Sequence, residues 1–210
     1  HVNLTEDVCK DIGRGFAVWL KNKAGKENLR VAVGRDSRLS GENLCAWIST
    51  AMVEAGLNVT DFGMASTPAM FMSTVTECYA FDGSVMITAS HLPFNRNGFK
   101  FFTAGGGLEK EDIKQILAYA ESDKVTNLPK GQIVKGEFMT AYSNILVDKI
   151  QTATGEKEPL KGFKIVVDAG NGAGGFFVYK LLKPLGADTN GSRFLEPDGS
   201  FPNHIPNPEN

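Results

Sequence analysis

Cysteine is scarce, with only Cys9, Cys45 and Cys78 in 210 residues, odd in number and far apart. That excludes a disulfide framework, and the lack of close Cys/His spacing excludes a zinc finger or a redox pair. The three are read as reduced thiols, small core residues of an intracellular protein. Charge of one sign is lacking too. The 22 basic and 24 acidic residues leave a net charge of −2, so no broad field draws nucleic acid or an anionic membrane. No basic cluster is interleaved with aromatics, which removes a stacking platform for single strands. No apolar run reaches the length of a membrane-spanning helix, and no signal-peptide pattern opens the chain. Any phosphate site must therefore be built locally. An initial methionine is also missing. The chain opens on His1 and runs out through Pro206-Asn207-Pro208-Glu209-Asn210, so both ends are expected to lie inside a longer protein.

What is present is β-α alternation. Val8, Ile12, Phe16 and Trp19 form a helical stripe over Glu6 to Lys21 behind Thr5 as cap. Leu29 to Val33 reads as a strand ending at Gly34, and Ser40 precedes a helix of Leu44, Trp47, Ile48, Ala51 and Met52 that Gly56 ends. Asn58 to Phe62 is the next strand, Pro68 to Thr76 a short helix, and Gly83 to Thr88 a buried strand. Gly98 to Phe102 pairs back across the loop, and Ile113, Ile116, Leu117 and Ala120 mark a helix over Glu109 to Glu121. Ser122 to Gly136, polar with Pro129 and Gly131, reads as the linker. Met139 to Ile150 then forms a helix, Lys164 to Val167 a strand, and a glycine-rich turn opens a second α/β unit.

The chemistry gathers in Val85 to Phe102, where a buried strand delivers Thr88, Ser90 and His91 into a loop that returns through Asn97 and Gly98 to Lys100. Polar groups leaving a buried strand are where open α/β sheets place their sites. A serine beside a histidine suggests nucleophilic catalysis, but neighbours on an extended loop tend to point apart and no Gly-x-Ser-x-Gly elbow is present. Gly34-Arg35-Asp36-Ser37-Arg38 also lies between a strand and a helix, so Arg35 and Arg38 could address an anion while Asp36 holds them. Gly170, Gly172 and Gly175 satisfy Gly-x-Gly-x-x-Gly after a strand, with Glu196 further on, as a dinucleotide site would require. Glu196 sits against Pro197 without a strand before it, so a structural turn is preferred.

Thr88-Ala89-Ser90-His91, then Pro93 and Asn97-Gly98-Phe99-Lys100, resemble the active-serine loop of the α-D-phosphohexomutase superfamily of phosphoglucomutases, phosphomannomutases and phosphoglucosamine mutases. The resemblance extends in order to Gly34-Arg35-Asp36-Ser37-Arg38-Leu39-Ser40-Gly41, Thr67-Pro68, Val167 to Gly175 and Phe201-Pro202-Asn203-His204, nearly the whole chain. It implies a three-layer α/β/α fold with a mixed, mostly parallel sheet, a first domain over 1–136 and an incomplete second domain of similar type over 137–210. It also implies an intramolecular phosphotransferase that interconverts hexose 1-phosphate and hexose 6-phosphate. Ser90 would carry the phosphoryl group and pass it through a hexose 1,6-bisphosphate, which also acts as activator. Lys100 and His91 would be the catalytic companions, and Arg35, Arg38 and Asn97 would bind phosphate or substrate. Mg²⁺ would be held by the phosphate on Ser90 together with ligands outside this chain. The partner implied by the resemblance would be a hexose phosphate, with neither nucleic acid nor membrane expected.

The chain departs from that pattern where Leu92 replaces an asparagine before the proline, removing an amide near the transfer centre. Asn95-Arg96 also enlarges the loop. The Leu92 variant resembles a plant-type branch, which implies cytoplasm or plastid. An Ile-Arg-Gly segment before the first helix, the aspartate-rich metal loop and a phosphate-binding domain are missing, so this stretch alone is expected not to turn over. Two other readings remain: a non-catalytic sugar-phosphate-binding homologue, and a dinucleotide-binding oxidoreductase. Which hexose is preferred and the oligomeric state are not written in these residues.

Overall fold

The structure is a computed structural model that describes residues 4–122 and 130–207. Its first unit is built on six strands, β1 (Arg30–Arg35), β2 (Asn58–Met64), β3 (Gly83–Ile87), β4 (Phe99–Thr103), β5 (Gly106–Gly107) and β6 (Ile133–Lys135), in the order β5-β4-β3-β1-β2-β6. β1 runs parallel to β2 and β3, and β2 parallel to β6, whereas β4 is antiparallel to β3 and β5. The sheet is mixed and mostly parallel, as expected.

The two-residue period of the central strands divides the core into two layers. Val31, Val33, Val85 and Ile87 join one apolar cluster with Phe16, Leu20, Ile48, Met52 and Ile116, while the intervening Ala32 and Met86 join the other with Ala69, Met70, Phe81 and Phe138. Helices α1 (Glu6–Ala24), α2 (Gly41–Glu54) and α4 (Lys110–Glu121) thus cover one face. Helices α3 (Thr67–Val75) and α5 (Met139–Thr154) cover the other. Thr5 caps α1 by accepting from the Val8 N–H, and Gly25 closes the helix in the left-handed region at φ 62°.

Two expectations change. Part of the Ser122 to Gly136 linker is a strand, because Ile133–Lys135 finds the free edge of β2 and the Lys135 ammonium pairs with Asp61. Residues 123–129 of that linker lie outside the described residues. The strand expected at Lys164 to Val167 survives only as isolated bridges, Lys164 to Asp188 and Asp168 to Arg193. An extended pair with no further neighbour does not make a regular ladder, and Phe163 and Val166 stay exposed. The segment that follows holds a 3₁₀ turn (Ala173–Gly175) and a short π-helical stretch (Val178–Leu182). Phe138 and Tyr142 at the start of α5 are buried in the first sheet's own core, so the two units share a hydrophobic layer.

Candidate active-site cleft

β1, β2 and β3 all point their carboxyl ends at one edge of the sheet. β1 leaves toward α2 and β2, whereas β3 leaves toward β4 on the opposite side, which opens a crevice between neighbouring strands whose connections diverge. A cleft of about 440 Å³ lies there. Its walls are Asp36 and Ser37 after β1, Ser66 and Thr67 after β2, Thr88 and Ser90 after β3, and Asp168, Gly170 and Gly172 with Phe201 and His204 from the second unit.

Ser90 is exposed at the rim with φ 56°, a left-handed conformation that costs a non-glycine residue on the order of 1 kcal/mol and must be held by its surroundings. Its N–H donates to Thr88 Oγ1 at 3.1 Å, and the Thr88 hydroxyl donates to Asp36 Oδ2 at 2.7 Å. Its carbonyl accepts from Arg38 Nη2 at 2.9 Å. The left-handed residue breaks the extended run, so the His91 ring folds back and Nδ1 comes within 3.4 Å of Ser90 Oγ, contrary to the expectation that the two point apart.

Arg38 is the largest fully buried side chain, with 1 % of its surface exposed. A guanidinium has five N–H donors. Here Nε donates to Asp36 Oδ2 at 3.1 Å, Nη1 to the carbonyls of Pro93 and Arg96 at 2.6 and 3.1 Å, and Nη2 to those of Ser90 and Leu92 at 2.9 and 2.8 Å. None is left for a ligand, so the contact to phosphate expected of Arg38 gives way to a grip on the serine loop. The Phe201 ring covers the guanidinium at 5.3 Å.

The other expected site residues divide. Lys100 is exposed and sits opposite Met86 in the β3–β4 ladder. Cross-strand partners share a face, and Met86 lines the cleft, so Lys100 belongs to the cleft face of the sheet. Asn97 spends its amide within the protein, donating to Ser40 Oγ at 2.9 Å and accepting from the Gly98 N–H at 2.9 Å. The Ser40 hydroxyl, at the N-cap position of α2, makes no side-chain cap bond to that helix. Arg35 is not at the serine cleft. It lines a separate cavity of about 380 Å³ with Cys45, Asp61 and Lys135, paired to Glu42 at 2.7 Å. Alternate positions of β1 face opposite sides and Arg35 follows Val31 and Val33 toward α2, so the structure does not bring Arg35 to Ser90.

His204 was legible only as part of the Phe-Pro-Asn-His string, yet it lines the cleft. Its Nε2 lies 3.0 Å from Asp168 Oδ1 and its Nδ1 3.1 Å from the Ile205 carbonyl. Both partners can only accept, so the ring satisfies both when doubly protonated. The Asp168 carboxylate accordingly raises the His204 pKa, and His204, with the Gly170 N–H and Arg193, holds Asp168 below its ordinary value. The glycines of the dinucleotide-like string are approached by the protein itself. A Cβ on Gly175 would sit 2.0 Å from the Leu195 carbonyl, and one on Gly170 would sit 2.8 Å from the His204 ring. Gly170 and Gly175 thus admit a close return of the chain, as a structural turn requires.

Among the described residues, no three His, Cys, Asp or Glu side chains converge in a way that could hold a metal ion. The residues present do not by themselves fit an Mg²⁺ site, since that ion wants near-octahedral oxygen coordination. No helix among the described residues is long and apolar enough to cross a membrane.

Two family models match the chain: the phosphoglucomutase/phosphomannomutase α/β/α domain I over residues 1–126 and α/β/α domain II over residues 138–210. A phosphoglucomutase of Neisseria gonorrhoeae is 38 % identical over 207 residues, covering 98 % of this chain and 42 % of that protein. A phosphomannomutase/phosphoglucomutase of Pseudomonas putida is 36 % identical over 206 residues, with 96 % and 42 % covered. The crystal structure of a phosphoglucomutase/phosphomannomutase family protein from Burkholderia thailandensis superposes with a TM-score of 0.79 at 29 % identity, covering 99 % of this chain and 44 % of that one. The chain thus spans less than half the length of the relatives it matches. With matched models over both units, an ordered set of motifs and a shared fold, the chain belongs to the phosphoglucomutase/phosphomannomutase family.

Proposed function

We propose that the full-length protein interconverts hexose 1-phosphate and hexose 6-phosphate through a phosphate carried on Ser90. Residues 1–136 act as the domain that presents the serine, and residues 137–210 begin the next. The observation that carries this reading is Ser90 itself, left-handed, exposed at the cleft rim and gripped on both sides of its peptide unit. Phosphoryl transfer asks chiefly for positioning and charge stabilisation, and a rigidly presented hydroxyl beside His91 suits it. Two transfers follow: the phosphoryl group leaves Ser90 Oγ for the free hydroxyl of a hexose monophosphate, whose proton ends on Ser90 Oγ, and the reoriented bisphosphate returns its other phosphate to that oxygen, the proton passing to the sugar oxygen set free. Lys100, on the cleft face, offers an ammonium for proton transfer or for charge on the phosphoryl oxygens. His91 contacts the phosphate.

Mg²⁺ belongs to this reading as the cation that would bind the phosphate on Ser90, with its remaining ligands supplied from outside the described residues. Relatives named for glucose and mannose phosphates are matched about equally well, which leaves the sugar unassigned. A cytoplasmic or plastid location accords with three free thiols. The test is mutase turnover by the full-length protein with glucose 1-phosphate, Mg²⁺ and a trace of hexose 1,6-bisphosphate. Ser90→Ala should abolish it, and undiminished turnover in that variant would sink the mechanism.

A further inference from the structure

Arg38 holds the serine loop through the loop's main chain. Arg38 reaches four carbonyls, at Ser90, Leu92, Pro93 and Arg96, from one guanidinium fixed by Asp36. The same carboxylate oxygen accepts from Thr88, whose hydroxyl in turn accepts from the Ser90 N–H. Both polar atoms of the Ser90 backbone therefore trace back to Asp36, one through Thr88 and one through Arg38. We propose that Asp36 and Arg38 are a positioning pair that presents Ser90 Oγ for phosphoryl transfer by fixing the loop's backbone, without touching the substrate. The proposal rests on the reading of Ser90 as the phosphate carrier.

Three observations support it. The pair is fully used, with every guanidinium N–H spent on the loop or on Asp36, and Asp36 Oδ1 also takes the Arg38 N–H at 3.1 Å. Its partners are carbonyls, so the grip is indifferent to side chains, and the exposed Leu92 and Phe94 can vary without loosening it. It is shielded from water: Arg38 is buried and Phe201 from the second unit closes over it, so bulk solvent does not compete for the carbonyls. A lysine has one ammonium on a flexible stem and cannot reproduce a planar fork that spans four acceptors.

The experiment follows phosphate on Ser90 by intact mass over time, in the full-length protein incubated with hexose 1,6-bisphosphate. It compares the wild type with Arg38→Lys and with Thr88→Val. The second variant removes the Thr88 hydroxyl, and with it the bonds to the Ser90 N–H and to Asp36 Oδ2, but keeps Arg38 and all its acceptors, so it reports even if Arg38→Lys lowers the folded yield. Positioning predicts the wild-type final phosphate per folded chain, reached about 100-fold more slowly in Arg38→Lys and about 10-fold more slowly in Thr88→Val, with half-saturation by bisphosphate within about threefold. A merely structural role would lower the final amount with the folded fraction and leave the rate of the folded molecules alone. That result, or rates within about threefold of wild type, overturns the proposal. Hydrogen exchange of the Leu92 and Arg96 amides separates the two readings. Should the wild type take up no phosphate, the function fails, and the grip is supported if Arg38→Lys speeds exchange of those amides about tenfold or more while β1 and β3 keep their protection. Unchanged loop exchange overturns it.

Discussion

Gly199→Ala should unseat the return segment from the Ser37 to Leu39 turn between β1 and α2 without unfolding the sheet. A Cβ at this position would lie 2.2 Å from the Ser37 carbonyl oxygen, 2.6 Å from the Leu39 nitrogen and 2.8 Å from the Arg38 carbonyl carbon, against 3.4–4 Å for ordinary contact. All three are backbone atoms, so no rotamer change relieves the overlap, and forcing extra bulk into a packed place costs about 1–3 kcal/mol. The segment can instead lift away. Doing so forfeits the Phe201 ring over Arg38 at 5.3 Å and the Asn203 to Asn171 amide bond at 2.6 Å, together on the order of 2 kcal/mol. The exposed His204–Asp168 pair adds little to that. Clash and release cost about the same, so a large fraction of molecules should carry the segment undocked. The measurement is hydrogen exchange at the Asp198 amide, which donates to the Asn171 carbonyl at 2.8 Å. Exchange should quicken about tenfold or more, with Val31 and Val33 unchanged. Wild-type protection of Asp198 in the variant would refute the seating of Gly199 on the turn.

Further consequences can be checked directly. Because the Asp168 carboxylate takes the Nε2 proton, His204 should titrate above its ordinary 6.5 by NMR. Its contribution to stability is full below pH 6.5 and fades as pH rises through the raised value, whereas Asp168, held below 3.8, contributes above that value and fades as pH falls through its lowered one. Asp168→Asn should bring His204 back toward 6.5, and a wild-type His204 at or below 6.5 would contradict the pairing. Burial pushes the Cys9 and Cys45 thiols up to about 11, so native protein treated with iodoacetamide at pH 8 should be alkylated at the exposed Cys78 and spared at the other two. Equal modification of all three would contradict the packing.

Much of the fold could be read from period and punctuation. The helix over Glu6 to Lys21 with Thr5 as cap, and the strands around Val31, Val59 and Val85, follow from apolar spacing that matches one element type. Ile133–Lys135 escaped because three exposed residues carry no alternating burial, and only the open edge of β2 makes them a strand. Lys164 to Val167 looked like a strand because its composition is right, but composition does not supply the neighbours a sheet requires. Around the cleft, Ser90 and His91 stand out by their place after a buried strand, and Lys100 by the resemblance of its Asn-Gly-Phe-Lys string. Arg38 was found for its charge and misread in its use: a sequence shows a cation but not the four carbonyls that converge on it from Ser90, Leu92, Pro93 and Arg96. Arg35 shows the same limit, since one step along β1 decides which face it serves. His204, more than one hundred residues beyond Ser90, could join the cleft only through the return of the second unit, for which local spacing holds no signal.

The central claim is that Ser90 carries phosphate. Intact mass and peptide mapping of the full-length protein after incubation with glucose 1,6-bisphosphate test it most directly. The account predicts one phosphate per chain, located on Ser90 and absent from Ser90→Ala. An unmodified wild type, or the same phosphate gained by Ser90→Ala, would contradict it.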